Sequence, residues 1–294
     1  MNLRVLLRVA LVSFVALAAL AQAAERVLYE KPSAFGTIVV TEDDKGLRVL
    51  RFGARGPRQS VVRPGDPDYL GLPYARVAFT GLALCAEPRR VLVVGLGGGS
   101  LPTFLHKYYP EATIDVVDID PEVVDVAKRF FGFSEDQFMR AHVGDGRQFI
   151  EQIRQPYDVI FLDAFGGDSV PAHLTTQEFL HAVRRALKPD GVVVGNVWAR
   201  HSNPLYDSMV RTYQEVFDEL FILSVQEAGN MIVLALPRRQ PLSRDELAQR
   251  ARNVSTAKRF GFDLGSLVDY GLQPAQEKNQ LGRVLRDADI SAAR

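Results

Sequence analysis

Apolar and polar positions follow two different rhythms along this chain. From residue 90 onward, short apolar runs alternate with stretches whose apolar residues recur at helical spacing. The runs predict strands over 91–94, 113–118, 141–144, 159–163 and 192–196. Helices are predicted between them, over 101–109, 121–131, 147–154 and 176–187. Asp120 followed by Pro121 is a strong helix start: a capping carboxylate, then proline in the first turn. Lys188-Pro189-Asp190-Gly191 is a stop signal. Such alternation predicts a parallel sheet covered by helices, with its ligand site beyond the carboxyl ends of the strands.

The flanks read differently. Residues 26–69 have a β rhythm, with runs over 36–41 and 47–52 joined by the turn Asp43-Asp44-Lys45-Gly46. Residues 63–68 form a loop rich in Pro, Gly and Asp, and 74–84 has helical spacing. Runs at 220–225 and 231–236 are spaced to pair as an antiparallel hairpin, and Ser243 with Glu246 forms a capping box that opens a tail helix. The first residues differ again. Arg4 and Arg8 precede an apolar run over 9–21 that ends in small residues at Ala21 and Ala23. This pattern fits a secretory leader and is shorter than a membrane helix requires; an uncleaved anchor or a misassigned start codon are the other readings. The organisation expected is a leader or anchor over 1–23, a small β-hairpin domain over 24–72, a Rossmann-like domain over 73–238 and a helical tail over 239–294. The protein is therefore expected to be exported or held at a membrane, or cytoplasmic if the leader does not function.

Composition narrows the classes. Of 294 residues, 47% are apolar and 24% charged, ordinary values for a globular chain. Lys plus Arg and Asp plus Glu both number 35, so no basic excess exists to hold nucleic acid. A single cysteine, Cys85, excludes an internal disulfide and reads as a buried small hydrophobe. The five histidines lack metal-motif spacing, so no metal is assigned.

Four motifs carry the chemistry. In the first, the strand at 91–94 runs into Gly95-Leu96-Gly97-Gly98-Gly99-Ser100 and then a helix; glycine permits a tight turn and close approach of a ligand. Asp118, at the end of the next strand, is placed to accept hydrogen bonds from both hydroxyls of a ribose. Together they favour nucleoside binding over a purely structural turn. Asp145, beside Gly146, can accept a hydrogen bond from an adenine amine or cap the following helix. Asp163 ends the fourth strand in the same cleft, and Asp168 sits in a glycine-rich loop beyond it. Carboxylates there can hold or deprotonate an amine nucleophile. His173 either contacts a substrate or packs its loop, and Asp158 reads as a turn residue.

With these motifs in order, residues 36–236 resemble the spermidine synthases, the polyamine aminopropyltransferases, and within them the spermidine-synthase-like branch. The resemblance implies a Rossmann-like class I methyltransferase sheet, a parallel core with an antiparallel C-terminal hairpin, preceded by a small β domain. It implies S-adenosylmethionine or decarboxylated S-adenosylmethionine as donor, an amine or other small acceptor, and family members that often form a homodimer. Gly95, Gly97 and Gly99 match the glycine loop, but Gly98 stands where aminopropyltransferases usually have Asp. Asp118 matches the ribose-binding acid, Asp145 and Gly146 the pair beside adenine, and Gln59 the donor-contacting glutamine. Asp163 matches the first catalytic aspartate. The second falls at Gly166, so Asp168 substitutes only through a loop insertion. Tyr74 matches a substrate-contacting tyrosine, but Ala75 and Arg76 replace its partners, and an arginine facing the pocket would repel a polyamine. Three readings follow: methyl transfer to an unidentified acceptor, aminopropyl transfer to putrescine or a related amine, and nucleoside binding without catalysis.

Overall fold

The computed structural model describes residues 25–85, 87–166, 169–274 and 277–291. The leader reading of 1–23 and the candidate Asp168 lie outside the described residues.

The β-rich start is a four-stranded antiparallel meander: β1 (Arg26–Ser33), β2 (Gly36–Glu42), β3 (Arg48–Phe52) and β4 (Arg58–Val62), in sequential order. The β3–β4 ladder pairs Leu50 with Ser60 and Arg51 with Arg58, so Gln59 is the extra residue of a bulge. Bulges of this kind re-aim a side chain. Pro73 opens the short helix α1 (Pro73–Ala78), which continues as a 3₁₀ turn over Phe79–Leu84.

The larger layer alternates strand and helix as the apolar rhythm requires. It comprises β5 (Arg90–Val94), α2 (Ser100–Tyr108), β6 (Thr113–Asp118), α3 (Pro121–Phe130), β7 (Met139–Val143), α4 (Gly146–Glu151), β8 (Tyr157–Leu162), α5 (Gln177–Arg185), β9 (Leu187–Trp198), α6 (Tyr206–Val216), β10 (Glu219–Ser224) and β11 (Asn230–Leu236). The seven strands lie in the order β10-β11-β9-β8-β5-β6-β7. β5 to β9 are parallel, while β11 runs antiparallel to both β9 and β10. This is the mostly parallel sheet with a reversed hairpin strand that the motifs imply. Central strands buried on both faces read as continuous apolar runs, and Val91, Leu92 and Val93 are fully buried. One apolar cluster joins Ile38, Val40 and Leu50 of the meander to Val91, Val93 and Phe104 of the main layer. α7 (Arg244–Lys258), opened by the Ser243–Glu246 capping box, α8 (Leu264–Gly271) and α9 (Asp287–Ser291) complete the fold.

Three local readings change. The segment Lys188–Gly191 does not stop α5, which already ends at Arg185; it is a bulge inside β9, since Tyr157 pairs with Leu187 while Val159 already pairs with Val192. Asp158 is not an exposed turn residue. Its buried carboxylate accepts the backbone N–H groups of Arg89 and Arg90 and the Lys188 ammonium, tying the start of β5 to this bulge. Cys85 is only half-buried; burial still pushes its thiol up to about 12.

Candidate active site at the carboxyl ends of the strands

A cleft of about 720 Å³ opens where β5, β6 and β8 end, roofed on one side by the meander. Its position is the switch point where an open α/β sheet binds ligands. Gln59, Tyr74, Gly95, Gly97, Asp118, Asp145, Gly146, Asp163 and His173 all line it. Gly99 lies just behind, as the left-handed N-cap of α2. The structure therefore gathers into one cavity residues spread over more than a hundred positions.

The glycine loop is built for close packing. Gly95, Gly97 and Gly99 all have positive φ, at 99°, 53° and 77°. A side chain at Gly95 would also strike the Asp163 carbonyl, its Cβ lying 2.4 Å away. Asp118 braces the loop: its Oδ2 accepts the Leu96 N–H at 2.8 Å and its Oδ1 the Asp120 N–H at 3.0 Å. Each oxygen has a second lone pair with which it can accept a further donor. Burial raises the Asp118 carboxyl above its ordinary value, against the lowering effect of those backbone donors.

Asp145 does what the capping reading requires, accepting the Gln148 N–H at 2.9 Å, while its other oxygen lies 2.7 Å from His173 Nε2. His173 thus both lines the cleft and packs its loop. Gly146 is required by packing, because a Cβ there would come within 2.5 Å of Val94.

The centre of the site is Asp163, one residue past β8. The Tyr74 hydroxyl donates to its Oδ2 and the Asn196 amide to its Oδ1, both at 2.8 Å. Asn230 in turn donates to Asn196 Oδ1 at 2.9 Å. Protein packed around the carboxyl strips its hydration and pushes it up to about 6, the two donors opposing the rise. The Tyr74 hydroxyl is pushed far up by burial and by the Asp163 charge, so it remains a donor. A carboxyl poised near neutrality and oriented by two donors is equipped to accept a proton.

Arg76, which would repel a cation only if it faced the pocket, does not line the cavity. Arg76 is exposed and donates to the Leu70 carbonyl, while Ala75 lines the wall in its place. The cleft wall carries Asp118, Asp120, Asp145, Asp163 and Glu227 against Arg58 and His173, so its charge suits a cation. Position 98 is crowded in a different way. A Cβ on Gly98 would lie 2.6 Å from Ser60 Oγ and 2.9 Å from Phe131, so a side chain there requires both neighbours to shift. Gly166 supplies no carboxylate at the position matched to the second aspartate, and Asp168 lies outside the described residues.

Sequence reasoning missed Asn196, Asn230 and the stacked pair Phe165–Trp198, whose rings lie 5.7 Å apart at the cleft wall. Asn196 carried a signal: it is the polar exception in the apolar run over 192–198, and being buried it is obliged to find a partner.

This arrangement agrees with what the chain is similar to. The spermine/spermidine synthase domain matches residues 75–228, more than half of the chain. The chain belongs to the spermine/spermidine synthase family. A polyamine aminopropyltransferase of Vibrio vulnificus is 37% identical over 238 residues, covering 79% of this chain and 78% of its own length. The human eEF1A lysine and N-terminal methyltransferase is 33% identical over 223 residues, covering 69% of this chain but only 31% of that protein. Among solved structures, human methyltransferase-like protein 13 in complex with SAH superposes with a TM-score of 0.60 at 32% identity, over 65% of this chain and 96% of that one. A probable spermidine synthase from Corynebacterium glutamicum gives a TM-score of 0.68 at 21% identity over 90% of this chain and 96% of that one, a likeness of fold alone. The family member described here is thus a transferase whose relatives include aminopropyltransferases and methyltransferases.

Proposed function

We propose that this protein binds a sulfonium nucleoside of the S-adenosylmethionine class in its cleft and transfers the methyl group to an amine. The observation that carries the reading is Asp163, raised to about 6 and oriented by Tyr74 and Asn196 one residue beyond β8, beside the glycine loop. Gly95, Gly97, Asp118 and Asp145 would hold the nucleoside, and the acidic wall favours its positive sulfonium. The donor supplies an activated carbon. The amine nitrogen attacks it, the carbon–sulfur bond breaks with its electron pair left on sulfur, and the nitrogen's proton passes to the Asp163 carboxylate. The chain's contribution is position and a proton acceptor.

Two observations favour methyl over aminopropyl transfer. Ser60 and Phe131 crowd position 98, where aminopropyltransferases usually have an aspartate, and Gly166 stands at the second aspartate position, so a second carboxylate could come only from Asp168 through a loop insertion. Amines fit the acceptor role because the relatives are named for polyamines and for lysine and N-terminal groups. Aminopropyl transfer to putrescine or a related amine is the second reading, favoured by the 37% identity to an aminopropyltransferase.

The test supplies S-adenosylmethionine with primary-amine peptides in one arm and decarboxylated S-adenosylmethionine with putrescine in the other. S-adenosylhomocysteine forming in the first arm, and not with Asp163→Asn, supports methyl transfer. Methylthioadenosine forming in the second supports the alternative. Nucleoside binding with turnover in neither arm overturns both and leaves a binding protein.

A further inference from the structure

We propose that Asn230 is a positioning residue for Asp163: it fixes which end of the Asn196 amide the carboxylate meets. This inference rests on the reading of Asp163 as the proton acceptor. A carboxylate only accepts hydrogen bonds, and of its two partners the Tyr74 hydroxyl can turn either to donate or to accept. An amide cannot do both from one end. Asn196 presents its Nδ2 to Asp163 Oδ1 at 2.8 Å, and its own Oδ1 accepts Asn230 Nδ2 at 2.9 Å. Turned the other way, Asn196 would set its carbonyl against the carboxylate and its N–H groups against those of Asn230. Asn196 is buried, where such mismatched polar groups go uncompensated. A reversal therefore has to turn both amides together.

The polarity matters once Asp163 has taken a proton. An Asn196 amide free to turn would offer its carbonyl to the protonated carboxyl and stabilise it, whereas a fixed N–H favours the carboxylate. Asn230 thus holds the site in the form that can accept a proton again. The sheet gives it this reach. Asn230 opens β11 opposite Trp198, two residues along β9 from Asn196, so both side chains leave the same face. The turn before it is tied down on both sides. The Gly229 carbonyl accepts the Ala199 N–H at 2.7 Å, and the Asn230 carbonyl accepts the Val225 N–H at 3.2 Å. Asp118, Asp120, Asp145, Glu227, Arg58 and His173 line the same cleft, yet among the described residues only burial, Asn196 and Tyr74 displace the Asp163 carboxyl from its ordinary value.

The test follows the acid limb of the pH–rate profile of the full chain, with thermal melting beside it. A carbon-13 titration of the Asp163 carboxyl, assigned by its absence from Asp163→Asn, gives a second readout that needs no turnover. Asn230→Leu, close in volume but without the donor, should move both limb and titration up by about one pH unit, the size of one hydrogen bond to a charged group, with KM unchanged. Asn230→Ala is read in the same way should the leucine variant fail to fold. In an Asn196→Leu background the further change Asn230→Leu should move neither, because the effect passes through Asn196. An unmoved titration in a folded Asn230 variant overturns the inference. So does an equal shift in the Asn196→Leu background, which would give Asn230 a direct effect on Asp163. If the wild-type chain turns over no donor, the reading of Asp163 as the proton acceptor fails; the carboxyl titrations of wild type and variants then still decide the amide orientation, so the two failures are told apart.

Discussion

Asp163 sits under opposing demands. A proton acceptor must be ionised, yet the packing that excludes water from it disfavours the charge and pushes it up to about 6. A carboxyl raised in the folded state holds its proton more tightly there than in the unfolded chain. Its stabilising contribution is therefore present at low pH and lost as pH rises through about 6. Asp163→Asn removes that loss, so the variant should melt higher than wild type at pH 8, with the gap shrinking toward pH 5. The same substitution should lower kcat by ~10²–10⁴, the range for a lost general base. Wild-type activity should fall as pH drops below about 6. Tyr74→Phe deletes a donor that stabilises the carboxylate, so the acid limb of the pH–rate profile should move to higher pH. An unmoved limb would mean that Asp163 is not the titrating base.

At the scale of elements, the glycine loop and β4 form one unit. Ser60 Oγ lies 3.3 Å from Ser100 Oγ, and Ser60 with Phe131 fills the space beside Gly98. Gly98 has no positive φ, so only sterics forbid a side chain there. Gly98→Ala should cost ~1–3 kcal/mol of stability, as overpacking does, and should weaken donor binding. Pairing it with Ser60→Gly should recover part of both, measured by denaturant melts and calorimetry; no recovery would put the clash elsewhere. The spacing of apolar residues made this loop and its flanking strands legible, because buried parallel strands are runs and their helices have a 3.6-residue period. The 113–118 strand is found at those bounds. Gln59 was legible only through family resemblance, since the bulge that turns it toward the cleft depends on its pairing with β3. The β9 bulge escaped for a similar reason. Pro189 and Gly191 read as a break, and only the Asp158 carboxylate, 30 residues earlier, accepts Lys188 and ties the bulge to the sheet.

On the scale of the whole molecule, the C-terminal tail returns to the side of the cleft that carries Asp145. Leu285 buries its side chain among α5 and α6 residues, and its carbonyl accepts the Gln177 N–H at 2.8 Å. Two residues later, Asp287 forms a two-pronged bridge to Arg147 at 2.7 and 2.6 Å. Arg147 follows Asp145 and Gly146, and its guanidinium also reaches the His173 carbonyl at 3.4 Å. The tail thereby braces the loop whose histidine contacts Asp145. No local pattern announces a contact across 140 positions; the tail's polar spacing offers a helix and nothing about its docking. The Arg147 guanidinium holds the Asp287 carboxyl below the usual carboxylate range. A lowered carboxyl contributes stability above its unfolded value of ~4 and loses it as pH falls through the folded one, so the bridge is intact at neutral pH. Asp287→Asn should raise the donor Kd severalfold at pH 7 while shifting the melting temperature little, because a half-exposed pair adds ~0–1 kcal/mol to stability. Leu285→Ala should instead lower the melting temperature by opening a buried site, with a ΔΔG of ~2–5 kcal/mol. Equal donor affinity for Asp287→Asn and wild type would reduce the bridge to a surface ion pair and leave positioning of the His173 loop to the loop itself.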